Sequence, residues 1–68
     1  MDKNNYIYII TLTNGEYVNV QGSRSICDLD NNILQIFAFV EQDDGTEKEQ
    51  NKACFMMNNI AGYIINKI

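Results

Sequence analysis

Nine carboxylates, two cysteines, one arginine and no histidine are the groups through which this 68-residue chain could do chemistry. Without histidine, no Ser-His, Cys-His or His-metal constellation can form. A nucleophilic cysteine needs a neighbouring base or positive charge to lower its pKa. Cys54 falls in an apolar run and reads as a small core residue, while Cys27 stands beside Asp28, whose charge opposes thiolate formation. Asp28-x-Asp30-x-Asn32 copies the opening of a calcium loop. Its sixth position is Ile33 instead of glycine, and its twelfth is Phe39 instead of a bidentate glutamate. Turn formation by Asp and Asn side chains is the expectation there. Gly15, Gly22, Gly45 and Gly62 are scattered and form no phosphate-binding loop. No enzyme, metal or cofactor is expected.

The carboxylates are not evenly spread. Glu41, Asp43, Asp44, Glu47 and Glu49 fall within nine residues, relieved only by Lys48. Such a run is either a solvated hairpin tip that blocks edge-to-edge aggregation or a negative patch that docks on a basic partner surface. Net charge is −4. Lys3, Arg24, Lys48, Lys52 and Lys67 form no basic run, so direct nucleic-acid binding is not expected. The longest apolar stretches, Tyr6–Ile10 and Ile36–Val40, are far shorter than the roughly 20 residues of a membrane-spanning helix. The opening Met1-Asp2-Lys3-Asn4-Asn5 lacks an apolar leader. A cytoplasmic protein with reduced thiols, away from membranes, is the expectation.

The elements that must hold these groups read as strands and turns in one domain, residues 1–68. Tyr6–Thr13 is β-branched and aromatic, Asn14-Gly15 is a tight-turn pair, and Glu16–Gln21 returns as the second strand. Gly22–Asn32 reads as loop. Ile33–Val40 and Glu47–Met56 form a second hairpin about Asp44-Gly45, Met57-Asn58-Asn59 is a short connection, and Ile60–Ile65 is a fifth strand. The fold expected is all-β, a small five-stranded antiparallel barrel or sandwich with little or no helix.

Two-residue turns would pair Thr11 with Val18 and Ile9 with Val20. Ile7, Ile9, Val18 and Val20 then share one face, and Tyr8, Ile10, Leu12, Tyr17 and Asn19 the other. In the second hairpin the same rule pairs Leu34 with Phe55, Ile36 with Ala53 and Ala38 with Asn51. Both hairpins come out apolar on two faces. A sheet with one wet face should alternate, so a second copy or a partner is expected to cover one side, giving a homo-dimer or higher oligomer.

The stretch Leu12-Thr13-Asn14-Gly15-Glu16-Tyr17-Val18-Asn19-Val20-Gln21-Gly22 resembles the opening of Sm-like proteins, and Asn58–Ile65 their closing strand. The order of strands is similar to SH3-like and Sm-like small barrels. That likeness implies the architecture, and with it RNA binding as a third reading. The segment before Gly62, however, lacks the basic residue such proteins use. Asn and Ile occur ten times each and Pro and Trp never, a bias that AT-rich genomes encode. In size, acidity and composition the chain is similar to phage- and mobile-element-encoded inhibitors such as anti-CRISPR proteins. That resemblance implies an inhibitor that occludes a basic host protein. Tyr8, Tyr17, Phe37 and Phe39 would be its aromatic anchors, and Glu41, Asp43, Asp44, Glu47 and Glu49 its charged guide. The alternative is an oligomeric binder of a nucleotide-like ligand, with Tyr8, Tyr17 and Asn19 stacking and bonding and Arg24 meeting a phosphate.

Overall fold

The computed structural model describes residues 3–68 and holds two three-stranded antiparallel sheets packed face to face. The strands are β1 (Tyr6–Leu12), β2 (Tyr17–Gly22), β3 (Arg24–Asp28), β4 (Ile33–Glu41), β5 (Glu47–Met56) and β6 (Ile60–Lys67). One 3-10 turn, Met57–Asn59, precedes β6. The first sheet runs β2-β1-β6 and the second β3-β4-β5. The all-β expectation therefore holds, with six strands among the described residues instead of five and no closed barrel formed by them. The extra strand is β3, which occupies part of the stretch read from sequence as loop. Arg24–Asp28 has few apolar residues, but β4 offers it a full ladder, from Arg24 opposite Phe37 to Asp28 opposite Ile33. Tertiary pairing overrides weak local propensity here.

Both hairpins turn over three residues instead of two. Leu12 N–H donates to Glu16 O at 2.8 Å and Gly15 N–H to Leu12 O at 2.9 Å, with Gly15 at φ +89°. Gln42, Thr46 and Gly45 repeat the arrangement, with Gly45 at φ +86°. This is a tight turn closed by a left-handed glycine. The first hairpin consequently slips by one residue from the sequence expectation. Ile10 faces Val18 and Tyr8 faces Val20. A one-residue slip exchanges the faces of the strand, so Tyr8 and Ile10 join Val18 and Val20 in the interior while Ile7 and Ile9 turn outward.

The second hairpin absorbs its slip. A bulge between Ile36 and Phe37 leaves Lys52 as the extra residue, which returns Ile36 to Ala53 and Leu34 to Phe55, the pairs read from the sequence. On the turn side of the bulge, Ala38 faces Gln50 and not Asn51. Bulges re-aim side chains, and the Lys52 ammonium donates to Gln21 O of β2 at 2.9 Å, tying one sheet to the other.

The core is small: Tyr8, Ile10 and Val20 from the first sheet meet Leu34 and Ile36 from the second. Tyr6, Leu12, Val18, Ala53, Phe55, Met57 and Ile60 pack around them. The chain passes from one sheet to the other at Gly22-Ser23. Ser23 N–H donates to Phe37 O at 2.7 Å, and Ser23 Oγ donates to the same carbonyl at 3.1 Å. Where β3 has left β4, the Asn4 amide takes over. Phe39 N–H donates to Asn4 Oδ1 at 2.8 Å and Asn4 Nδ2 donates to Phe39 O at 3.0 Å. A side chain thus supplies the strand pairing that these backbone groups would otherwise lack.

Candidate interaction surfaces

The β4–β5 hairpin carries the acidic run as a projecting arm. Glu41 lies directly opposite Glu47 at its end, and both are exposed. Asp43 and Asp44 occupy the turn. The carboxylates are not equivalent. Asp44 Oδ1 accepts from Thr46 Oγ1 at 2.6 Å and from Thr46 N–H at 3.0 Å; the side-chain bond first, then the backbone bond, holds its carboxyl low, and together they brace the turn. Glu49 Oε1 accepts from Arg24 Nε at 2.8 Å, and its Oε2 from Ser23 Oγ at 2.9 Å. Glu41, Asp43 and Glu47 have no hydrogen bond or ion pair among the described residues. Of the five acids, these three carry charge that no bond within the fold engages.

The outer face of the second sheet carries a cation over each phenylalanine. Arg24 lies opposite Phe37 in the ladder, and its guanidinium sits 4.2 Å from the ring centre. The Lys3 ammonium sits 4.9 Å above Phe39. Desolvated contacts of this kind are worth up to about 2 kcal/mol, and exposed ones about half a kcal/mol or more. Phe39 also faces Glu49 across the strands, so Arg24 reaches Glu49 diagonally over β4. Two groups assigned from sequence to different sites, Arg24 and Glu49, are therefore partners in one ion pair.

Glu49 gives this pairing a pH signature. Its carboxyl is held below its ordinary value of 4.5, first by the hydrogen bond from Arg24, then by that from Ser23, with the Arg24 charge adding to them. A lowered carboxylate pKa stabilises the fold above the unfolded value, and that stability is lost as pH falls through the folded value. Urea unfolding between neutral pH and strong acid should show a downward acid limb in the wild type. Glu49→Gln should make that limb shallower and lower stability slightly at neutral pH. Asp28 and Asp44 are shifted in the same direction, so some slope remains.

The other candidate residues are dispersed. Tyr8 is interior, 2% exposed, and is a core residue, not a surface anchor. Tyr17, 71% exposed, stands with Asn19 on the outer face of the first sheet, the side opposite Tyr8. Arg24 lies on the second sheet. Tyr8 therefore does not join Tyr17 and Asn19 in one pocket. The Asp28–Asn32 segment is a turn. Asp28 accepts from Asn31 N–H at 3.2 Å and from Asn31 Nδ2 at 2.8 Å, and the side-chain bond first of all holds its carboxyl low. Cys27 and Cys54 are both exposed and free. They face Leu34 and Gln35 across β4, which puts them on opposite faces of the sheet and about two strand spacings, roughly 10 Å, apart.

Sequence reading missed one exposed apolar surface, that of β6. Along β6, Tyr63, Ile64 and Ile65 are 37%, 60% and 47% exposed. The available signal was the unbroken Tyr63-Ile64-Ile65 run, which puts apolar groups on both faces of a strand that has a neighbour on one side only.

Protein-family models, curated proteins and solved structures contain no match to this chain, so the class reached is a small two-sheet all-β protein whose distinctive surfaces are an acidic hairpin and an apolar edge strand. Among the described residues, no helix is long and apolar enough to cross a membrane.

Proposed function

We propose that this chain is a non-enzymatic interaction protein, an inhibitor of the kind phages and mobile elements encode, which occludes a basic surface of a host protein. The observation that carries the reading is the acidic arm. Glu41 and Glu47 face each other with Asp43 beside them, although like charges directly opposite destabilise a hairpin. A surface that keeps this repulsion at its most projecting point is suited to a cationic partner, where the same charges speed encounter and select the docking face. Of the four aromatic anchors expected from the sequence, Phe37, Phe39 and Tyr17 are near enough to the surface to contribute contact area. The finer fold reading goes with it. Counting β2 and β3 as one strand bent at Ser23 gives five, in the order of SH3-like small barrels, with the 3-10 turn before the last.

The second reading, a binder of a nucleotide-like ligand, depends on Arg24, the one arginine of the chain. It is the weaker of the two because that guanidinium is already engaged by Glu49 and Phe37.

The discriminating variant is Glu41→Gln/Asp43→Asn/Glu47→Gln, which spares the two carboxylates that brace the fold. Binding is measured against a panel of purified bacterial nucleic-acid-binding proteins at low and high salt. Wild type should bind at least one of them in a salt-sensitive manner and be displaced by duplex DNA. The triple variant should bind about tenfold more weakly or worse with an unchanged circular dichroism spectrum. Wild type that binds none of the panel, or a triple variant that binds as well, overturns the proposal.

A further inference from the structure

We infer that β6 is a dimerisation strand, which pairs antiparallel with β6 of a second copy of this chain about a two-fold axis at Ile64. The first ground is the edge itself. Sheet edges are normally blunted by charge, bulges, shortness or cover. β5 carries Glu47, Lys48, Glu49 and Lys52 and a bulge, β3 is five residues long, and β2 has the Lys52 ammonium on its Gln21 carbonyl. β6 has none of these from Gly62 to Asn66: no charge, no proline and an unbroken register against β1.

The second ground is where its backbone points. Lys67 lies opposite Tyr6, so Ile68 lies opposite Asn5, and Ile68 N–H donates to Asn5 O at 2.8 Å. Hydrogen-bonded and open pairs alternate along an antiparallel ladder. Ile64 and Asn66 therefore direct their polar backbone toward β1, while Tyr63, Ile65 and Lys67 direct theirs away from the sheet. Setting Ile64 against Ile64 of the second copy brings Tyr63 opposite Ile65 in both halves. Those outward N–H and C=O groups then pair reciprocally. The same register matches apolar against apolar on both faces. Ile64 meets its counterpart on the face that carries Ile9, and Tyr63 and Ile65 extend the interior face that carries Ile10 and Tyr8.

A second copy is the occupant that the rest of the molecule calls for. Every residue of β6 beyond Ile60 is exposed. Chains this small usually need a disulfide, a metal or a partner subunit to supplement the core. The two thiols are too far apart to bridge, and the described residues hold no metal-binding cluster. Each copy carries a net charge of −4, yet β6 has no carboxylate and ends in Lys67, so the repelling charges lie away from the seam.

The test uses the full chain and its solution mass by light scattering and sedimentation over a wide concentration range. Wild type should be a dimer that dissociates on dilution. Ile64→Lys and Ile64→Glu each place like charges face to face and remove the apolar pair. Each should weaken the dimer on the order of a hundredfold. An equal mixture of the two should dimerise again, because lysine then meets glutamate. In a Cys27→Ser/Cys54→Ser background, Ile64→Cys should form a disulfide-linked dimer on mild oxidation, since open pairs place Cα atoms about 4.5 Å apart. A wild-type monomer at all concentrations, single-charge variants that still dimerise, a mixture that stays monomeric, or an Ile64→Cys chain that does not cross-link would each overturn the assignment. Because these readouts require no target, they stand or fall separately from the inhibitor reading.

Discussion

Gly22→Ala is expected to remove most of the protein's stability at room temperature. A Cβ on Gly22 would stand 2.6 Å from Phe37 O and 2.9 Å from the Ile36 Cγ2. The first obstacle is backbone and cannot rotate away. It is also held in place, because Phe37 O already accepts from Ser23 N–H and Ser23 Oγ. Relief would require the two sheets to separate at the residue where the chain crosses between them, and Ile36 lies in the core that would open. Overpacking of this kind costs about 3 kcal/mol at the upper end of its usual range. A core of this size contributes only about 3–5 kcal/mol net, so one methyl group consumes most of the margin. Thermal and urea unfolding by circular dichroism measure the loss. Gly62→Ala is the control: a Cβ there meets nothing within 4 Å, and its stability should stay within about half a kcal/mol of wild type.

The second large effect comes from removing volume instead of adding it. Leu34 is completely buried, on the central strand of its sheet, and faces Phe55 across the ladder. Leu34→Ala loses the transfer free energy of three carbons and leaves a cavity that its few core neighbours cannot fill. The usual cost is about 2–5 kcal/mol. Leu29, 80% exposed in the turn between β3 and β4, offers the same substitution without burial. Leu29→Ala should change stability by less than about half a kcal/mol. Measured side by side in urea, the two leucines should differ by about 2 kcal/mol or more. Equal effects would mean that the core is not where these packing relations put it.

These two expectations meet at the same structural point. Gly22 bends the chain from one sheet to the other, and Leu34 and Ile36 fill the space that the bend encloses. The surfaces proposed for binding and assembly lie away from that point, at the periphery. The acidic arm projects beyond the core on the β4–β5 hairpin, and the apolar seam runs along β6. Substitution of Glu41, Asp43, Glu47 or Ile64 should therefore alter binding or assembly while leaving the fold in place. Substitution at Gly22 or Leu34 should remove everything together.

Much of the fold was legible in the sequence because local chemistry is strong where it matters. The β-branched and aromatic runs specify strands, and Asn14-Gly15 and Asp44-Gly45 specify where two of them turn back. The acidic run was legible as well, since charge needs no structure to be counted. Register was not. Whether a glycine turn spans two residues or three is decided by closing bonds such as Leu12 N–H to Glu16 O, and that one residue moved Tyr8 from an expected anchor into the core. In the second hairpin the same error was cancelled by the bulge at Lys52, whose side chain is drawn to Gln21 of the other sheet. Strand β3 was invisible because its pairing is supplied by β4 and not by its own residues. The union of Arg24 with Glu49 brings together positions 25 residues apart. Sequence by itself thus determined what the chain is made of: strands, turns, an acidic arm and more apolar surface than one small core can hide. The tertiary structure decided which side chains that core takes and which it leaves outside on β6, because burial depends on the register and partner of each strand, and those are set only when distant segments meet.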